Sequence, residues 1–222
     1  MTDVNEVEKL AEENLNLGKE EQHLAKQLKT LSKLEFDRAR ATEALLKKEQ
    51  EVSKVRKELA EKQKEVVEKK MKLKAILKIP DDELKTQKNS AEYNERVAKI
   101  NTEIAEFNKN IAESEKQIAK EKEMLADKQM DVSKGRLNLA KKQQAYVKAV
   151  KAAQPDEKVL NLEKDYVNEQ KGLLSQKKDV IKKERDIKLK ENKLTDLRKS
   201  LAQKQIERNN VKHPEERAGS SE

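Results

Sequence analysis

From Val97 onward every seventh residue is apolar: Val97, Ile104, Ile111, Ile118, Leu125, Val132, Leu139 and Tyr146. The residue after each is small, from Ala98 through Ala140 with Ser133 among them, until Val147. A period of seven is two turns of a slightly underwound helix, so the row stays on one side of a long α-helix. The same row precedes it: Leu10, Leu17, Leu24, Leu31, Leu45, Val52, Leu59, Val66 and Leu73, broken only by Arg38. Ala11, Gly18, Ala25, Ser32, Ala39, Ser53 and Ala60 are the small neighbours there. A third row runs Val159, Tyr166, Leu173, Val180, Ile187, Leu194 and Leu201. These large residues are the expected helix-packing seam. The small residue beside each lets a second helix come closer than two leucine layers would allow.

Proline divides the rows. It suits a helix start and disrupts a helix interior, and acids favour the first turn. Pro80-Asp81-Asp82-Glu83 and Pro155-Asp156-Glu157 therefore read as junctions. The spacing predicts helices over about 4–78, 81–153 and 156–211, in one elongated all-α, coiled-coil domain spanning 1–212. Asp3 and Glu6 form a capping-box pattern at the first start. His213-Pro214 stops the last helix, leaving a polar tail, 213–222, that is expected to be disordered.

Charge bears on topology. Residues 1–43 carry net −3, 44–79 net +6, 81–131 net −4, 132–154 net +6 and 156–170 net −3. Reversal at each proline sets opposite blocks side by side, giving an antiparallel hairpin plus a third helix. The alternative, an extended parallel coiled-coil rod, sets each block beside its own copy. Helix-dipole preferences act only over a terminal turn, whereas these biases run for several. The matched lengths of the first two segments also favour reversal. A turn centred near residue 81 brings Leu45 level with Ile118 and Val52 level with Ile111. A lone helix of this kind is marginal in water, so each row needs a facing helix. Three helices make a thin core, and a homodimer is expected.

Composition narrows the chemistry. The chain is 34% hydrophobic, 42% charged and 2% aromatic, too polar for a thick globular core, yet rich in good helix formers. There is no cysteine, so disulfide and thiol chemistry are excluded. The acidic opening stretch lacks the apolar segment of a secretory leader, and no apolar run approaches membrane-spanning length. A cytoplasmic location is expected. The only histidines are His23 and His213, the four glycines are isolated, and no metal-ligand spacing or phosphate loop occurs. No catalytic residue, metal site or cofactor is expected. Tyr93, Phe107, Tyr146 and Tyr166 fall on apolar faces and read as core. Arg38 reads as a side chain that snorkels outward near Glu35.

Net charge is +8, but only nine of the 51 basic residues are arginine. Lysine surfaces are usually solvated helix faces, so specific nucleic-acid recognition is not expected. One basic block, Lys134, Arg136, Lys141, Lys142, Lys148 and Lys151, contains no acid. It either pairs with an acidic helix of the same fold or forms a docking patch.

The pattern therefore points to a non-enzymatic scaffold that acts through shape, self-association and docking of another protein. Its alternative is a peripheral membrane-remodelling module with a Lys-rich face that meets an anionic membrane surface. Three long antiparallel helices, a basic balance and dimerisation resemble the general plan of BAR-type domains.

Overall fold

A computed structural model describes residues 4–212. The Asp3 cap and the tail after Lys212 lie outside the described residues, as does His213. Four helices and no strand are found among them: α1 (Val4–Lys72), α2 (Lys74–Leu77), α3 (Asp81–Lys151) and α4 (Asp156–Asn209). The three long helices are those the seven-residue rows predict. The difference is at Leu73, where the first helix breaks. Leu73 has φ −95° and ψ 10°, outside helical geometry, and the one-turn α2 follows it.

Both reversals end in a left-handed residue that is not glycine. Lys78 (φ 51°) donates its N–H to the Lys74 carbonyl at 2.9 Å. Ala153 (φ 47°) donates to Val150, and Gln154 reaches back to Ala149. These bonds satisfy carbonyls that a helix end leaves open. Each proline then serves the next helix, because the carbonyls of Pro80 and Pro155 accept bonds from Leu84 and Val159.

The chain forms two compact units, Met1–Asp37 with Gln117–Glu191, and Arg38–Lys116 with Asn192–Glu222. In the first, α1 and α3 run antiparallel: Glu8 meets Lys151, Asn14 meets Gln143, Glu21 meets Arg136 and Lys29 meets Asp127. Helix α4 returns along α3 through Lys142–Glu169, Lys128–Asp179 and Glu121–Lys190. The core here joins Val7, Val132, Leu139, Tyr146, Val147, Tyr166 and Leu173. Tyr146 and Tyr166 pack with ring centroids 5.2 Å apart and planes tilted by 60°, within the range of favourable aromatic pairs.

In the second unit Glu43 meets Lys116, Thr102 donates to the Ser53 carbonyl, and Lys64 meets Glu95. The α4 contacts are Arg198–Glu115 and Lys204–Glu103. Its buried apolar residues are mostly small: Ala39, Ala60, Val67, Leu84, Ala91, Ala98, Ile100, Ala105, Ala112, Leu194 and Val211. The Glu43–Lys116 pair puts Leu45 level with about residue 114, and the Thr102–Ser53 bond puts Val52 level with about residue 103. The turn is thus centred a few residues earlier than the proline implies, and the expected Leu45–Ile118 and Val52–Ile111 registers are displaced. The cause is the break at Leu73, which starts the reversal before Pro80.

In both units the small residues form the centre of the α1–α3 contact. Ala11, Ala25, Ser32, Ala39 and Ala60 on α1 are buried, as are Ala98, Ala105, Ala112, Ala119, Ala126, Ser133 and Ala140 on α3. At Gly18 the approach is close: an added Cβ would lie 2.9 Å from Leu137 and 3.3 Å from the Ser133 carbonyl. The large residues are displaced to the flank. That placement governs which surface stays open.

Candidate interaction surface

The expected seam divides by helix. On α4, Tyr166, Leu173, Ile187 and Leu194 are buried, and Val159 and Val180 half-buried. On α3, Ile118, Leu125, Val132, Leu139 and Tyr146 are buried, whereas Val97, Ile104 and Ile111 are half-buried. On α1 the structure differs from the expectation: Leu24, Leu31, Leu45, Val52, Leu59 and Val66 are all exposed, by 50 to 65%. The buried line on α1 lies one residue further on, at the small side chains. When two helices meet on Ala and Ser, their axes are too close for leucine between them. The large side chains then swing to the rim, where only a third helix could cover them. Helix α4 does so incompletely, because it packs mainly on α3.

In the first unit the rim is an α1–α4 cleft lined by Leu24, Val132, Val180 and Ile181. In the second it is a groove of about 850 Å³ along α1 and α3, with Leu45, Val52 and Leu59 facing Val97 and Ile104. Asn94, Asn101 and Asn108, spaced by seven on α3, line the same groove. Reading the apolar row alone overlooks these amides, although their spacing is visible in the chain.

Half of the basic block is used between helices of the fold. Arg136 makes a two-pronged contact with Glu21 at 2.9 and 2.7 Å and also donates to Asn14. Lys142 pairs with Glu169 and Lys151 with Glu8. Lys134 lies 3.5 Å from Asp131 on its own helix, and Lys141 and Lys148 are exposed. Arg38 is exposed, as expected of a residue that interrupts an apolar row at the rim.

Electrostatics follow the helix contacts. Glu43, nearly buried, accepts from Lys116 at 2.8 Å and pairs with Lys47 at 2.7 Å. Hydrogen bonds from these two ammonium groups pull its carboxyl pKa down to about 2. Bonds from Lys183 and Lys190 likewise hold Glu121 below its ordinary range. Burial raises the Tyr146 phenol, with Glu163 contributing. These are acids and bases tied to partners, not poised in a cavity. Among the described residues no cluster of three metal-ligating side chains occurs, and no helix is long and apolar enough to cross a membrane. His23 lies on the surface with a ring nitrogen 2.9 Å from the Gln27 amide. The arrangement can bury apolar surface and match charges. Compared with protein-family models, curated proteins and solved structures, the chain matches none.

Proposed function

We propose that the chain is a non-enzymatic cytoplasmic scaffold of long helices, acting through self-association and through docking of partner helices. One observation carries this reading: the large apolar residues of α1 recur every seventh position and stand 41 to 65% exposed in each unit. Exposed apolar surface arranged as a continuous row is the usual mark of a face that another helix covers. Sedimentation at rising protein concentration tests it. The wild-type chain is expected to associate, and L24E/L31E and V52E/L59E variants to associate more weakly while staying helical. A wild-type chain that remains monomeric throughout overturns the proposal.

A second reading has its own support. On α4, Lys164, Lys171, Lys178 and Arg185 are exposed at seven-residue spacing, and exposed Leu174 and Ile181 run beside them. A basic row beside an apolar one suits an anionic membrane surface. Salt-sensitive sedimentation with anionic vesicles, lost in K171E/K178E, would favour it.

A further inference from the structure

We propose that the groove of the second unit receives the same groove of a second copy, around a two-fold axis that crosses α1 at Val52 and α3 near Asn101. This inference rests on the scaffold reading and adds the occupant and its orientation. The groove is lined as a palindrome. On α1, Leu45 and Leu59 stand seven residues either side of Val52, Glu49 lies three before it and Arg56 four after it, and Lys48 also lines the groove. On α3, Asn94 and Asn108 stand seven residues either side of Asn101, with Val97 and Ile104 between them. The two centres are nearly level, because Thr102 is bonded to the Ser53 carbonyl across the pair.

A two-fold interface requires a surface that complements itself. Rotation about this axis lays α1 antiparallel on its copy, with Leu45 over Leu59, Val52 over Val52, and Glu49 beside Arg56 twice. It lays α3 on its copy with Asn94 over Asn108. Amides both donate and accept, so an amide row can pair with itself, which a row of lysines cannot. Asn101 already accepts from Arg208 at 3.3 Å, which leaves its amide hydrogens to donate. The lining runs from Leu45 to Gln63 on α1 and from Asn94 to Asn108 on α3, a face of about 28 by 20 Å, roughly 550 Å² per copy, which suits an interface somewhat smaller than the ~800 Å² per partner of the standard class.

The chain contains no cysteine, so single thiols report cleanly. The full-length V52C variant is expected to oxidise to a covalent dimer. L45C alone should not, because its copies lie about 21 Å apart along the helices. An L45C and L59C mixture should crosslink at least about tenfold faster than either alone, since a disulfide needs Cα atoms within about 7 Å. E49R or R56E alone should weaken the dimer, and E49R/R56E together should restore it. A dimer in which V52C stays reduced, or L45C links to itself as readily as to L59C, overturns the two-fold while the scaffold reading stands. A wild-type monomer at every concentration overturns both.

Discussion

Lys116 of α3 reaches the nearly buried carboxylate of Glu43 on α1, with Nζ 2.8 Å from Oε2. Lys47, one turn along α1, holds the other oxygen at 2.7 Å. The folded state thus prefers the ionised acid, with its pKa pulled from the ordinary 4.5 to about 2. A carboxyl with a lowered folded pKa stabilises the fold above its unfolded value and loses that contribution as pH falls through the folded one. The Glu43 contribution is therefore full at neutral pH and fades between about 4.5 and about 2. Thermal melts followed by circular dichroism should show E43Q clearly less stable than wild type at neutral pH. The gap should close at the acid end of that window.

Leu24 and Ala25 are neighbours with opposite environments: Leu24 is 62% exposed and Ala25 only 1%. Replacing Ala25 by Leu forces three more carbons into the α1–α3 contact and should cost about 1–3 kcal/mol, as overpacking does. Replacing Leu24 by Ala should change stability by no more than about 0.5 kcal/mol, as at most surface sites. Urea unfolding at a concentration too low for association measures both. Equal losses would refute the inversion of large and small residues on α1.

Ala153 holds φ 47° at the end of α3. An L-residue in that region costs about 1–2 kcal/mol, and glycine's extra freedom in the unfolded chain takes back about 0.5–1 kcal/mol. A153G should therefore gain about 0.5–1 kcal/mol by relieving the left-handed strain. K78G should behave alike at the first reversal. An unchanged or lowered denaturation midpoint in both variants contradicts this.

Gly172 sits inside α4 with nothing within 4 Å of an added Cβ. Alanine there should stabilise by about 1 kcal/mol through helix propensity alone. G18A is the control, because its new methyl meets Leu137 at 2.9 Å. It should gain less than G172A or lose stability, read from the same melts.

The seven-residue rows and the proline junctions were sufficient to read three long helices, because periodicity and turn chemistry are local. The antiparallel course was legible in the charge blocks: Glu21–Arg136 and Lys142–Glu169 join oppositely charged blocks. The seam on α1 was not. Leu and Ala alternate side by side, and periodicity gives a row's face only to within about one residue. Which of Leu24 and Ala25 faces α3 depends on how closely the helices approach, and that is settled by both surfaces together. The break at Leu73 carries no glycine or proline of its own, so the register it sets could not be counted from Pro80. The groove amides share the period of the apolar row and were hidden by its stronger signal.

The α1–α3 pairing has a consequence for how the chain reaches its fold. Lys70 and Gln87 meet across only 17 residues of sequence, whereas Lys151 and Glu8 meet across 143. Closing a short loop loses less entropy than closing a long one. The hairpin can therefore start at the Leu73–Pro80 reversal and zip outward, each new pair closing only a few more residues. Such nested closure spares the search that distant contacts ordinarily impose. Lengthening the reversal with glycines should then slow refolding far more than it speeds unfolding.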